Sequence, residues 1–313
     1  MGDRKPDEQG RAPGQRMVEA LTGDAAGRAL VFHIDDVGMC HGANVAFLEL
    51  MRAGNVTCGS IMVPCPWFRE IAAEAAHDKA LDLGVHLTLT SEWPLYRWGP
   101  ISTTLRESGL IDEQGCFPRN CLELRPRVNA QAAEVEFRAQ IDRALDAGID
   151  VTHIDTHMGA AVLPELVDVY IALGHEYDLP ILLPRELNSY TGVLKMGEVS
   201  PGIYEERVAA LDAAGMPVFD RFRMTPFKPD AEPEPTYRAM IEALPSGVTY
   251  FGLHCNAPGD IEMIVPPRAH FRTEEYALFA SGAPARWARD AGIKLIGMRE
   301  VRALWRTASQ SIN

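Results

Sequence analysis

The stretch His33-Ile34-Asp35-Asp36-Val37-Gly38 decides how the rest of this chain is interpreted. An apolar run over residues 29–32 leads into two adjacent carboxylates and then a glycine, which is typical of a buried strand that ends in a turn. Neighbouring residues on a strand point to opposite faces, so Asp35 and Asp36 share one environment only if the backbone turns there. On its own, the stretch fits two structures equally well: a metal or catalytic site, or the cap of a helix that starts near Met39.

Composition and charge narrow the function classes. The chain has 313 residues, of which 47% are hydrophobic and 23% charged, and these values are typical of a globular protein. Its net charge of −13 argues against a nucleic-acid partner, because no basic excess is available to neutralise phosphates. The sequence has no apolar run long enough to span a bilayer, and its N-terminus does not resemble a secretory signal. The six cysteines are too sparse for a disulfide scaffold, which indicates free thiols and predicts a cytoplasmic location.

Strand-like and helical patterns alternate along the chain. Strands are predicted over 29–34, 56–63, 83–89, 150–156, 180–184, 217–222, 247–254 and 293–297. Helices are predicted over 41–53, 66–78, 130–147, 163–178, 203–214, 234–244, 273–291 and 299–307. This alternation indicates parallel strands joined by helices, in a barrel or a doubly wound sheet, and seven or eight units favour a complete or incomplete barrel. We expect one domain over residues 29–313, preceded by a mobile tail over 1–28.

The alternation is interrupted once, between residues 91 and 129. A connection of this length in a compact domain is usually functional, for example as a lid or a substrate wall. Its aromatic residues, which include Trp93 and Trp98, would either stack on sugar rings or anchor the loop, and anchoring is the commoner role.

Polar residues interrupt or end several apolar runs. His86 lies inside the run 83–90, where a core histidine with a hydrogen-bonding partner would be the ordinary explanation. In the run Val151-Thr152-His153-Ile154-Asp155-Thr156-His157, however, two histidines and an aspartate share one face of a strand. This grouping is hard to explain by packing alone. His254 again stands where an apolar strand ends.

One aspartate and two histidines, drawn from three separate strands, make a mixed oxygen and nitrogen site. Such ligands suit Zn²⁺, Mn²⁺, Co²⁺ or Mg²⁺ with positions left open for water and substrate. A second carboxylate beside the metal would act as a general base, which indicates metal-assisted hydrolysis of an amide or ester. The sequence has neither a Gly-rich phosphate loop nor a Gly-Xaa-Ser-Xaa-Gly elbow.

Three motifs in order carry a family resemblance. They are Asp35-Asp36-Val37-Gly38 followed by Asn44, the run 84–90 (GVHLTLT), and the run 152–157 (THIDTH). Together they resemble the YdjC-like carbohydrate deacetylases, from about residue 29 to the C-terminal helices. The resemblance implies a distorted (β/α) barrel of seven or eight parallel strands, related to polysaccharide deacetylases.

The resemblance also implies site residues. One divalent ion, Mg²⁺ or Zn²⁺ with Mn²⁺ and Co²⁺ as alternatives, would be held by Asp36, His86 and His157. Asp35 would be the general base that activates the attacking water. His254 resembles a late strand-end histidine of the family and would be an acid or an oxyanion stabiliser, although here an insertion separates it from the following Pro-Gly.

Other candidates have less defined roles. His153 and Asp155 are expected behind the ligands, where a carboxylate fixes the tautomer of a ligating histidine. Arg185 would lie at the same rim and orient Asp35 or bind substrate, or else be a surface arginine. The segment 158–161 (MGAA) replaces a His-rich run of the family, so substrate contacts there have changed.

The sequence therefore predicts a metal-dependent hydrolase that removes the N-acetyl group from an N-acetylated sugar or oligosaccharide. Two alternatives remain open: a metal-dependent hydrolase of a non-sugar amide or ester, and a carbohydrate-binding protein without turnover. A homo-oligomer is compatible with the sequence, which does not determine the oligomeric state.

Overall fold

The structure is a computed structural model that describes residues 13–186, 196–228 and 232–310. Within these residues, seven parallel strands form one sheet in the order β4-β3-β2-β1-β6-β5, with β7 beside the first half of β1. The strands are β1 (Arg28–Val37), β2 (Cys58–Ile61), β3 (Leu83–Leu87), β4 (Val151–Thr156), β5 (Arg221–Met224), β6 (Gly247–Leu253) and β7 (Lys294–Leu295).

Helices connect the strands and cover the sheet, as the alternation of patterns predicts. They are α1 (Pro13–Thr22), α2 (His41–Arg52), α3 (Phe68–His77), α4 (Cys121–Leu124), α5 (Ala130–Asp146), α6 (Val167–Glu176), α7 (Pro201–Ala213), α8 (Pro233–Glu242), α9 (Ile261–Ile264), α10 (Ala269–Ala280), α11 (Ala283–Asp290) and α12 (Met298–Gln310). Two short 3₁₀ helices span Arg106–Ser108 and His157–Val162.

Irregular chain closes the sheet into a distorted barrel. Ile181 forms a single parallel bridge with Ile154 of the outer strand β4. A few residues later, the amides of Arg185 and Glu186 donate to the carbonyls of residues 219 and 220, just before the other outer strand β5. Residues 181–186 therefore join the two edges of the sheet, and the barrel prediction is confirmed.

Three predicted elements differ in the structure. The strand expected over 180–184 is reduced to the bridge at Ile181, because Pro180 and Pro184 have no amide hydrogen to donate to a ladder. The strand expected over 217–222 lies later, as β5. The single helix expected over 273–291 is two helices, α10 and α11, separated by Gly282 with a φ of 70°.

The predicted mobile tail over 1–28 does not hold for its second half. Residues 13–22 form α1, and Met17, Val18 and Leu21 are buried in the hydrophobic core. Their spacing places all three on one face of the helix, which gives the helix an apolar face to bury. Residues 1–12 lie outside the described part of the chain.

Strand β1 is the centre of the sheet and carries the site at its end. Residues 28–34 pair in register with β6, and residues 33–37 pair with β2. Phe32 is fully buried and packs edge-on against Phe279 of α10, with ring centroids 5.1 Å apart. Because all strands are parallel, their carboxyl ends meet at one end of the barrel.

The structure describes all six cysteines, and each is a free thiol. Among the described helices, none combines the length and the apolar character that crossing a bilayer requires.

Candidate active site

The backbone turns at the end of β1, as the paired aspartates require. The register with β2 shifts between Ile34 and Val37, and Asp36 has a φ of 62°, in the left-handed region. Gly38 follows with a φ of 84°, and its amide donates to Asn44 Oδ1 at 2.7 Å. The turn brings both carboxylates to the same end of the barrel.

The helix-cap alternative for these aspartates is wrong. Helix α2 begins at His41, and Cys40 occupies the N-cap position without a side-chain bond. The first amides of the helix, those of His41 and Gly42, donate to the carboxylate of Asp260. Asp35 and Asp36 are therefore available for a site.

Asp36, His86 and His157 converge into one buried cluster. Asp36 Oδ1 lies 3.1 Å from His157 Nδ1 and 3.6 Å from His86 Nε2. One ligand atom from each residue lies within 4.8 Å of the other two, a separation at which one cation can contact all three. The residues come from the end of β1, from β3 and from the position after β4.

Asp155 orients His86 from behind. Ser60 Oγ donates to Asp155 Oδ2 at 2.9 Å, and His86 Nδ1 lies 2.9 Å from Asp155 Oδ1. Since a carboxylate accepts, His86 donates its Nδ1–H there and keeps its Nε2 lone pair for the cluster.

His157 lies between two carboxylates. Its Nε2 is 3.1 Å from both carboxylate oxygens of Glu92, while its Nδ1 faces Asp36. Burial disfavours the charged imidazole, but Glu92 and Asp36 outweigh it and raise the pKa of His157 to about 10. The sequence analysis did not identify Glu92, although it stands two positions after the run 83–90.

Arg272 is a second residue that the sequence did not reveal. Its guanidinium is buried in α10 and donates to Asp36 Oδ2 at 2.8 Å, leaving Oδ1 toward the histidines. Burial opposes ionisation of Asp36, but Arg272 and His157 outweigh it and hold the pKa of Asp36 well below its usual range. No local pattern around Arg272 indicates this role.

Arg185 is held by carboxylates other than that of Asp35. It forms ion pairs with Asp212 and Asp220, and Asp35 is not among its contacts in the described structure. The ion pairs connect it to the chain before β5 and to α7.

Asp35 lies beside the cluster, between two histidines. Its Oδ1 is 2.6 Å from His33 Nδ1, and its Oδ2 is 3.7 Å from His254 Nε2. Gly252 of β6 makes room for it, since a Cβ at that position would lie 3.1 Å from Asp35 Oδ2. The carboxylate is 13% exposed, so it can be reached from the barrel mouth.

His254 is held by a buried polar network. Its Nδ1 lies 2.8 Å from Thr225 Oγ1, and its amide donates to Glu275 Oε2 at 2.6 Å. Burial lowers the pKa of His254 to about 4, so the imidazole is neutral near pH 7. Its Nε2 faces the same side of the site as Asp35.

His153 lies deeper than the other candidates. Its Nε2 is 3.0 Å from His33 Nε2, and its side chain is fully buried. It belongs to a second cluster with His33 and Asp155, below the ligand cluster.

The two tryptophans of the segment 91–129 differ in exposure. Trp98 is buried and donates from its indole to the Thr90 carbonyl at 2.8 Å, and its ring centroid lies 6.2 Å from that of His157. This contact anchors the segment, the commoner of the two roles considered for its aromatic residues. Trp93 is half-buried and packs against the core.

The charges and donor atoms of the site fit a divalent cation. Among the described residues, it gathers the carboxylates of Asp35, Asp36, Glu92 and Asp155 against the one guanidinium of Arg272. Such an excess of negative charge in a buried place calls for protons or a cation. Two imidazole nitrogens and a carboxylate oxygen are ligands for such an ion.

Comparison with known proteins places the chain in a family. The family model described as YdjC-like protein matches residues 29–290. The chain belongs to the YdjC-like family.

Two similar proteins have names that state a function. A carbohydrate deacetylase of Thermus thermophilus is 36% identical over 199 residues, which cover 62% of this YdjC-like chain and 69% of that protein. A carbohydrate deacetylase of Thermoanaerobacter pseudethanolicus is 28% identical over 49% of this chain and 59% of that protein.

A solved structure shares the fold. It is a protein of Enterococcus faecalis V583 with a proposed role in cellobiose-phosphate cleavage, 22% identical with a TM-score of 0.69. The match covers 88% of this YdjC-like chain and 99% of that protein. The shared architecture agrees with the distorted barrel.

Proposed function

We propose that this chain is a metal-dependent carbohydrate deacetylase that removes the N-acetyl group from an N-acetylated sugar or oligosaccharide. The observation that carries the proposal is the buried cluster of Asp36, His86 and His157 with Asp35 at its side. The names of the relatives supply the substrate class.

Asp36 Oδ1, His86 Nε2 and His157 Nδ1 would hold the cation. Each of these ligands has a hydrogen-bonding partner on its other side. The pairs are Asp36 with Arg272, His86 with Asp155, and His157 with Glu92. When bound, a divalent cation polarises an acyl carbonyl and lowers the pKa of water. Two imidazoles favour Zn²⁺ or Co²⁺ over Mg²⁺ as the ion.

The remaining residues move the proton. Asp35 accepts it from the water that attacks the acetyl carbon, and the tetrahedral intermediate then expels the sugar amine. As the C–N bond breaks, the proton on Asp35 goes to the amine nitrogen, either through His254 Nε2, which is 3.7 Å from Asp35 Oδ2, or directly while His254 stabilises the oxyanion.

The segment 91–129 would form one wall of the substrate site. Glu92 contacts His157, and Tyr96 donates to the Met39 carbonyl at 2.6 Å, close to the end of β1. Trp93 and the buried Trp98 belong to this wall. We propose that the ring of Trp93 contacts the sugar. The predicted cytoplasmic location stays a prediction and rests on the free thiols.

One observation keeps a non-sugar amide or ester in consideration. After His157 the chain reads Met158-Gly159-Ala160-Ala161, and Met158 has a φ of 53°. This small, apolar turn lines the ligand histidine and differs from the His-rich run expected from the family.

Acetate release from N-acetylglucosamine, diacetylchitobiose and simple acetamides tests the proposal, after chelation and with each metal restored. We expect metal-dependent release from the sugars only. Asp36→Ala should lose both bound metal and activity, whereas Asp35→Asn should keep the metal and lose about 10²–10⁴-fold in kcat. Release from the acetamides alone would favour the non-sugar hydrolase, and a fully active Asp35→Asn variant would overturn the base assignment.

A further inference from the structure

A second polar cluster lies directly below the site, in the barrel interior. His33 of β1 and His153 and Asp155 of β4 are fully buried there. The two Nε2 atoms of the histidines are 3.0 Å apart, and His33 Nε2 is 3.6 Å from Asp155 Oδ2. The proposed chemistry uses Asp155 through His86 but gives no role to either histidine.

The outward hydrogen bonds fix one ring proton on each histidine. His33 Nδ1 faces the carboxylate of Asp35 at 2.6 Å, and a carboxylate accepts, so His33 donates. His153 Nδ1 lies 3.0 Å from Thr152 Oγ1, whose own proton goes to Asp82 at 2.6 Å. Thr152 Oγ1 therefore accepts, and His153 also donates from Nδ1.

With both Nδ1 positions protonated, two neutral rings would face each other through Nε2 lone pairs at 3.0 Å. Two lone pairs repel each other at that distance, and a proton or a metal ion between them removes the repulsion. His153 Nδ1 faces only the hydroxyl of Thr152, whereas His33 has a carboxylate beside each ring nitrogen, so the geometry places the extra proton on His33. The carboxylates of Asp35 and Asp155 lie on either side of His33 and stabilise its charge.

We propose that His33 is a doubly protonated positioning residue for the general base. It donates Nε2–H to His153 and Nδ1–H to Asp35, and so holds Asp35 with Oδ1 turned inward and Oδ2 turned toward His254. The proposal rests on the proposed function, in which Asp35 is the base. His33 is fully buried, so it does not touch the substrate itself.

The protonation state is tested without any substrate. In the ¹⁵N-histidine spectrum of the intact protein near pH 7, we expect the imidazole of His33, identified by the loss of its signals in His33→Asn, to have both nitrogens protonated. A neutral tautomer for His33 would overturn the proposal. So would a second bound metal equivalent per chain that is lost in His153→Asn, because a metal ion would then occupy the place of the proton.

The positioning role is tested by two matched variants. The amide of Asn can donate from near the place of Nδ1 and so toward Asp35, whereas the amide of Gln reaches the place of Nε2 and so His153. We expect His33→Gln to lose about 10²-fold in kcat with KM and metal content unchanged, and His33→Asn to lose at least tenfold less.

Equal losses in both variants, or an unchanged kcat in His33→Gln, would overturn the positioning role. Failure of the deacetylase proposal looks different, since the parent protein would then release no acetate from any sugar. The spectroscopic result stands apart from both, because it needs no turnover.

Discussion

Asp155 contacts residues of both clusters at the end of the barrel. We expect its substitution to weaken metal binding. Its Oδ1 accepts from His86, and its Oδ2 accepts from Ser60 and from the buried Tyr250 hydroxyl at 3.1 Å. These bonds fix the ring of His86 and the tautomer that leaves Nε2 free for a cation.

We therefore expect Asp155→Asn to weaken metal affinity by about 10–100-fold, because the uncharged amide supports the ligating imidazole less well. A competition titration with a chromophoric chelator measures this. Tyr250→Phe is the matched control, since it removes one bond to Asp155 but leaves the bond between Asp155 and His86 in place. Equal affinities for parent and Asp155→Asn would contradict the role.

The sequence predicts site residues that lie on strands or at strand ends. It does not predict site residues that lie on helices or in irregular loops. The family resemblance implies Asp36, His86 and His157 as the ligands, and they come together because the carboxyl ends of parallel strands meet at one end of the barrel. Arg272 is 236 positions from its partner Asp36 and lies on α10, so only the packing of that helix places it. Arg185 also follows an apolar run, but in the described structure it forms ion pairs with Asp212 and Asp220.

The segment 91–129 illustrates how an element without periodicity is held. Arg97 donates to Ser91, to Gln114 and to the Phe117 carbonyl, and it pairs with Asp112 at 2.7 Å. One arginine thus ties together the wall that carries Glu92 and the tryptophans. Neither hydrophobic periodicity nor a turn motif shows such an arrangement in advance.

The Arg97–Asp112 pair predicts a pH-dependent contribution to stability. Burial opposes ionisation of Asp112, but the bond from Arg97 and two backbone amides outweigh it and lower its pKa. The contribution is therefore present above the unfolded pKa of about 3.9 and is lost as the pH falls through the folded value. We expect Asp112→Asn to cost about 1.5 kcal/mol at pH 7 and less at pH 3.5 in urea unfolding.

Gln114→Ala is the control for this pair, because it removes an uncharged partner of Arg97. The difference in the free energy of unfolding between the parent and Gln114→Ala should be the same at both pH values. An Asp112→Asn cost that is the same at both values would mean that the carboxylate does not titrate with folding.

Helix α1 is the element on which the sequence interpretation erred most. Its polar and small residues indicated a tail, but three apolar side chains on one face were enough to dock it on the core. Lys294 of β7 also donates to the Leu21 carbonyl at 2.6 Å. A short amphipathic helix gains its stability from such packing rather than from its own propensity, so composition alone underestimates it.

We expect Leu21→Ala to lower the free energy of unfolding by about 2–3 kcal/mol, because it leaves a cavity between α1 and the sheet. Ala20→Ser, at an exposed position on the same helix, should change it by no more than about 0.5 kcal/mol. Urea unfolding measures both, and equal small effects would show that α1 is not docked in solution.

For the molecule as a whole, the alternation of strands and helices predicts the barrel but not its closure. Closure depends on residues 181–186, where two prolines interrupt the ladder and single bonds replace a strand. The cation site lies in the better-paired part of the sheet, since its ligands come from the end of β1, from β3 and from the position after β4. A bound ion would therefore link three strands of the sheet and stabilise the native chain only.

Metal should accordingly raise the melting temperature of the whole domain. A ligand at about 100 times its Kd stabilises the native state by about 2.7 kcal/mol, which corresponds to a shift on the order of 5 °C for a chain of this size. Calorimetry after chelation and after addition of Zn²⁺ or Mn²⁺ measures the shift without any substrate. His157→Ala should abolish it, whereas His77→Ala, an exposed histidine of α3, should keep it. A shift that survives in His157→Ala would place the ion elsewhere, because the remaining two ligands cannot hold it with the same affinity.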